Sequence, residues 1–229
     1  MGSESDFKIS NGWLSKYTGE GGSVVIPDSV TQMYWGALEG CTSLTSVVIP
    51  GSVTSISGNC FKDCTNLTSV MISEGVKEIG LNAFENCTSL TSINIPDSVQ
   101  KIFGNAFAGC TGLTSINIPD SVKAIDSTAF SGCTSLTSVR LPEGLKELDR
   151  GLFSCCTSLT GITIPESVTK IDWNVFENCS SLKDVTIPES VKSIGSWSFR
   201  GCKALADENG FVAVNGTLFD YLGPGGDIV

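Results

Sequence analysis

The chain has no histidine, which removes the commonest general base and the commonest zinc ligand. Cations are scarce too: 14 lysines and arginines stand against 24 aspartates and glutamates, for a formal charge of −10. Nucleic acid and anionic membrane surfaces both require clustered positive charge, so neither is an expected partner. No stretch approaches the roughly 18 consecutive apolar residues of a membrane-spanning helix, so no membrane insertion is expected. No secretory signal opens the chain; Met1-Gly2-Ser3 reads as a cloning remnant, which leaves room for a leader removed ahead of it. No serine or cysteine stands beside a plausible base, so no activated nucleophile, no enzymatic activity and no cofactor are expected. Charged residues make up only 17% of the sequence, whereas the apolar 41% is enough to build a core.

Cysteine is plentiful, and its spacing governs everything else. Cys41, Cys64, Cys87, Cys110, Cys133, Cys156, Cys179 and Cys202 each follow the last by 23 residues, and only Cys60 and Cys155 are out of step. A fixed period of this length is the signature of a solenoid and has to be read before any motif. With Leu44 as position one, the unit is Leu-x-x-Val-x-Ile-Pro-x-x-Val-x-x-Ile-x-x-x-Cys-Phe-x-x-Cys-x-x. Positions four to six alternate apolar with polar and are β-branched, so they predict a short strand. Stacked coils lay these strands side by side as a parallel sheet about 4.8 Å apart, and the proline that usually follows stops the ladder. The stretch ending in small-Phe-x-x-Cys is too short for a full helix and predicts a turn or a 3₁₀ piece on the convex side. The fold class expected is therefore an α/β-type repeat solenoid, a right-handed leucine-rich coil. One face is a parallel β-sheet and the other consists of short turns or 3₁₀ segments.

The column cysteines predict a buried ladder of free thiols. Neighbours on parallel coils are close, but their Cβ vectors run parallel, which does not suit the disulfide dihedral. Cys60 shares its column with Ala83, Ala106 and Ala129 and reads as inert packing. Cys155 stands where other coils have Gly, Asn or Asp, in an exposed turn, and is the thiol expected to react.

The two ends match each other rather than the repeat. Residues 11–22, NGWLSKYTGEGG, share Asn, Gly, Leu, Tyr and three glycines with residues 215–226, NGTLFDYLGPGG, and each Asn-Gly follows an apolar run. Asn-Gly between such runs signals a β-hairpin. The division expected is a hairpin cap over 1–20, eight repeats over 21–204 and a hairpin segment over 205–229. The sequence stops at Ile228-Val229 where another Ile-Pro is expected, so either the chain is one segment of a longer array or the second hairpin is a polar cap.

These features carry a resemblance. The unit CTSLTSINIPDSVQKIFGNAFAG from Cys87, with its cysteine column, Ile-Pro and Ala-Phe, resembles the BspA-like class of leucine-rich repeats, as does the NG-x-L-x-x-Y-x-G-x-GG segment. It covers essentially residues 7–229. The resemblance implies a secreted or cell-surface protein that adheres to host or microbial macromolecules, and it supplies no catalytic residues.

Three rows are candidates for contact with a partner. The third position is a serine ladder from Ser46 to Ser138. The fifth position varies through Val48, Met71, Asn94, Asn117, Arg140, Thr163 and Thr186. The turn after the thirteenth position holds Tyr34, Trp35, Leu81, Phe103, Arg150, Trp173 and Trp197. Aromatics and Arg dominate binding hot spots, so Trp35, Trp173 and Trp197 or Asn94, Asn117 and Arg140 are the expected contact residues for a protein or glycan. Two alternatives stay open: the aromatics fill gaps between neighbouring turns, or the chain is a structural spacer. One acid per coil after the proline (Asp28, Glu74, Asp97, Asp120, Glu143, Glu166, Glu189) is a weak calcium signal, since paired acids are lacking, and no metal is expected. The sequons at Asn66, Asn86 and Asn178 are by-products of the repeat, with a fourth at Asn215. A monomer is expected.

Overall fold

The structure, a computed structural model, describes residues 4–214 and 216–221. Asn215 with its sequon, the second glycine run and the Ile228-Val229 end lie outside the described residues. Eight coils stack with partners offset by one period, as in Ser46↔Ser69, Val47↔Val70 and Ile49↔Ile72. The first strand column begins with Gly22–Val25, Leu44–Ile49, Ser69–Ile72 and Ser92–Asn94, joined in one parallel sheet. It continues as two further pairs, Ser115–Asn117 with Ser138–Arg140 and Gly161–Thr163 with Asp184–Thr186.

The other faces add one feature and correct one expectation. Position thirteen belongs to a second parallel column of two-residue strands, Gln32–Met33, Ser55–Ile56, Glu78–Ile79 and so on to Ser193–Ile194. Of the turn or 3₁₀ piece expected on the convex side it is turns that form, and no α segment accompanies them: among the described residues the only helical pieces are Glu4–Asp6, ahead of the first coil, and Lys203–Leu205, directly after the last column cysteine. The reason is conformational. Positions 16 and 20 adopt positive φ, as in Asn59 (55°) and Asp63 (58°), Asn82 (54°) and Asn86 (58°), or Asn174 (61°) and Asn178 (60°). A left-handed residue every fourth position breaks any helical run, and Asn, Asp and Gly are the residues that tolerate it. The amides satisfy themselves between coils instead: Asn59 donates to Leu81 O (2.9 Å), Phe61 to Ala83 O and Asp63 to Glu85 O (both 2.8 Å). The fold is a β-solenoid of stacked parallel-strand coils.

The core is a set of identical columns. Phe61, Phe84, Phe107, Phe130, Phe153, Phe176 and Phe199 are fully buried, with neighbouring ring centroids 5.1–5.8 Å apart and planes within 22°. Phe219 closes the row edge-on at 5.1 Å. All ten cysteines are free thiols. From Cys64 onward each column thiol donates to the carbonyl of the Leu or Phe 26 residues earlier, at 3.1–3.2 Å, from Leu38 O for Cys64 to Phe176 O for Cys202. Cys41 departs from the buried ladder: it is half-buried, because the coil before it is replaced by the N-terminal hairpin. Cys155 is also half-buried, at a left-handed turn position (φ 61°).

Candidate functional site

The three turn tryptophans are exposed, Trp35 by 59% and Trp173 and Trp197 each by 57%. They do not form one patch. Trp35 and Trp173 occupy position 15 of coils six periods apart, about 29 Å at the usual strand spacing. Trp173 and Trp197 lie on adjacent coils near the C-terminal end.

How each is held separates packing from display. Trp35 lies over Gly58 of the next coil, where an added Cβ would come within 2.2 Å of the ring. Trp173 lies over Gly195 in the same way, at 2.3 Å. One ring face therefore tucks against a neighbouring turn and the other meets solvent. Trp173 is further fixed at its backbone: Asp172 accepts its amide (2.7 Å) and is held in turn by Lys170 (2.7 Å). The Lys170 ammonium holds the Asp172 carboxyl below the usual carboxylate range.

Trp197 is different. It occupies position 16 with φ 62°, where the other coils place Gly36, Asn59, Asn82, Asn105, Thr128, Gly151 and Asn174. A left-handed backbone costs an L-residue with a Cβ about 1–2 kcal/mol. The exposed indole recovers little of that by burial, while Arg200 lies 6.0 Å from its ring. Arg150, exposed, occupies position 15 of the coil before Trp173. The C-terminal edge thus presents two indoles and two guanidinium groups on three successive turns of a chain whose net charge is −10.

The fifth-position row is committed elsewhere. Asn94 accepts from Ile72 N (2.9 Å) and donates to Ile72 O (3.0 Å), continuing the sheet ladder with its own amide. Arg140 spans Asp120 with contacts of 2.9 and 3.1 Å and reaches Ile118 O at 3.4 Å. That bond and the Glu143 amide hold the Asp120 carboxyl down, and the Asp120 carboxylate in turn raises Arg140. Asn117 is exposed on the strand face. The sheet face also has two shallow depressions. One of about 520 Å³ lies over Val48, Met71 and Asn94, where Met71 is exposed; one of about 420 Å³ lies beside Arg140, Thr163 and Asp184.

Sequence reasoning missed one aromatic. Trp13, in the N-terminal hairpin, stacks on Tyr34 at 4.8 Å and is partly exposed, extending the Tyr34–Trp35 pair at the far end of the stack. Its only signal is a bulky residue directly after a turn Asn-Gly. Arg200 carried no sequence signal, since it lies outside the turn row.

The BspA type leucine-rich-repeat region profile matches residues 16–114 and 104–209, in six copies. A leucine-rich-repeat protein from Bacteroides ovatus is similar at 31% identity with a TM-score of 0.76, over 83% of this chain and 51% of that one. The chain thus spans about half the length of that relative. The leucine-rich-repeat protein of T. pallidum is similar at 28% identity and TM-score 0.66, over 90% of this chain and 91% of its own. The pneumococcal vaccine antigen PcpA, at 18% identity and TM-score 0.52 over 87% and 66%, shares the fold. No curated protein matches the chain.

Proposed function

Because this chain belongs to the BspA type leucine-rich-repeat family, we propose that it is a secreted or cell-surface module that binds protein or glycan on a host or microbial surface, with no catalytic role. The contact surface in this reading is the C-terminal turn edge of Trp173, Trp197, Arg150 and Arg200. The observation that carries it is Trp197: a bulky, exposed residue on a left-handed backbone that seven other coils give to Gly, Asn or Thr. Packing alone offers no return for that cost. Rigidity supports the same reading, since a stacked solenoid holds its edge without an ordering penalty on binding.

Affinity from a few aromatic anchors should depend only modestly on ionic strength. The test is to immobilise the chain and titrate extracellular-matrix proteins and intact cells across a range of salt. Saturable binding that survives physiological salt supports the reading. Adsorption that never saturates, or that vanishes on modest screening, rejects it in favour of a spacer.

A further inference from the structure

The chain carries the same hairpin twice, with opposite faces buried. Phe7–Ser10 pairs with Trp13–Tyr17 through Phe7↔Tyr17 and Ile9↔Leu14; Phe211–Val214 pairs with Thr217–Tyr221 through Phe211↔Tyr221 and Ala213↔Leu218. Each has its register shift after the second residue of the first strand, at Lys8/Ile9 and at Val212/Ala213. In the first hairpin Phe7, Leu14 and Tyr17 are buried and Ile9 packs on the core, while Lys8, Ser10, Ser15 and Lys16 are exposed. In the second, Val212 and Val214 are buried, Phe219 packs on Phe199, and buried Asp220 accepts the Gly201 amide at 2.7 Å. Ala213 is exposed there, and Phe211 by 39%. The first hairpin therefore lays one face on the coil that follows it, and the second lays the other face on the coil that precedes it.

The outward faces differ in chemistry. The first is polar at Lys8, Ser10, Ser15 and Lys16, with the part-exposed Trp13 leaning over its edge onto Tyr34. The outward face of the second carries Phe211 and Ala213 where the first has Phe7 and Ile9, and Leu218 and Tyr221 stand at the register positions of Leu14 and Tyr17. Phe7, Ile9, Leu14 and Tyr17 are the residues that the first hairpin seats on its coil. There Trp13↔Gln32 and Leu14↔Met33 pair in parallel, Tyr34 N donates to Leu14 O (2.8 Å) and Tyr17 N to Ala37 O (2.9 Å). The interface is thus already built once in this chain.

We propose that the outward face of the C-terminal hairpin is a docking surface for a leucine-rich coil of the kind formed by residues 22–41, joined behind it. This hairpin is a two-sided joint between stacked solenoid blocks, whereas the N-terminal one is a one-sided cap. The Thr217–Tyr221 strand offers such a coil the parallel ladder that Trp13–Tyr17 gives to Gln32–Met33.

The test is a fusion in which a second copy of residues 26–229 follows Val229, the position aligned with Val25. The second block should fold, and small-angle scattering should show one rod of roughly doubled length rather than two hinged ones. Phe211→Ser should lower the Tm of the fusion by clearly more than it lowers that of the 229-residue chain, while Val212→Ser, on the inward face, should lower both alike. A thiol introduced by Phe211→Cys, followed site by site with mass spectrometry, should alkylate at least about tenfold more slowly in the fusion, as an amide or thiol behind a local opening does. A second block that fails to fold overturns the proposal, because the same residues fold behind residues 1–25. So does a folded block that leaves position 211 as reactive as before.

Discussion

Raising the pH should unfold this protein cooperatively, and the thiol column sets where. Eight cysteines are buried: Cys60, Cys64, Cys87, Cys110, Cys133, Cys156, Cys179 and Cys202. Burial pushes all of them up, to about 12 for Cys64, Cys133 and Cys202. The geometry supports the direction, since each column thiol from Cys64 on spends its proton on a backbone carbonyl. A thiol raised in the folded state gives stability that is complete below its unfolded value, near 8.5, and is lost as pH climbs toward the folded one. At about pH 10 each thiol favours the unfolded chain by roughly 2 kcal/mol, so eight amount to on the order of 15 kcal/mol, comparable with the whole stability of a typical domain. Circular dichroism and thiolate absorbance, followed together in reductant, should therefore change in one step between about pH 9 and 10. Cys110→Ala with Cys133→Ala should move that step upward, even though the chain is weaker at neutral pH. Thiolate that accumulates gradually while the β signal stays intact would refute the buried column.

The stack itself is tested at Phe130, between Phe107 (5.4 Å) and Phe153 (5.6 Å): Phe130→Ala should cost about 3–5 kcal/mol in urea unfolding, and a loss below about 1 kcal/mol would mean that the ring is not a core residue. Trp197→Asn restores the residue type of the column and should stabilise by about 1 kcal/mol, a rise in Tm of roughly 2–4 °C; a lower Tm would show that the indole is packing. Asn94→Ala strands the Ile72 N–H and C=O and should cost about 1–3 kcal/mol without touching binding, so lost binding at unchanged stability would return the strand face to contention. Under native alkylation Cys155 and Cys41 should label first, with the rest only after unfolding; early labelling of Cys110 would contradict its burial.

What the sequence made legible was whatever repeats. The 23-residue period, the Phe and Cys columns and the first strand column all express one constraint, that each coil must bury an edge against the next. The second strand column was hidden because a two-residue strand such as Ser55–Ile56 is too short to alternate. Between the turn and 3₁₀ alternatives for the convex side the sequence already favoured turns: Asn, Asp and Gly recur at positions 16 and 20, and those are left-handed residues, not helical ones. At the candidate site, sequence variation singled out both the tryptophans and the fifth-position row. It could not tell an exposed side chain from one turned back on the backbone. Asn94 and Arg140 vary because they patch the ladder and the turn below them, whereas Trp35 and Trp173 are matched by Gly58 and Gly195 one coil on. Those paired glycines were a usable signal.

The C-terminal turn edge is tested most directly by affinity for a surface partner after changing Trp173→Ser and Trp197→Asn together, with Tm recorded on the same samples. Removing two anchors should cost at least about 2 kcal/mol, a roughly 30-fold weaker Kd, while the melting temperature holds or rises. Unchanged affinity in a folded double variant would contradict the assignment of this edge as the binding surface.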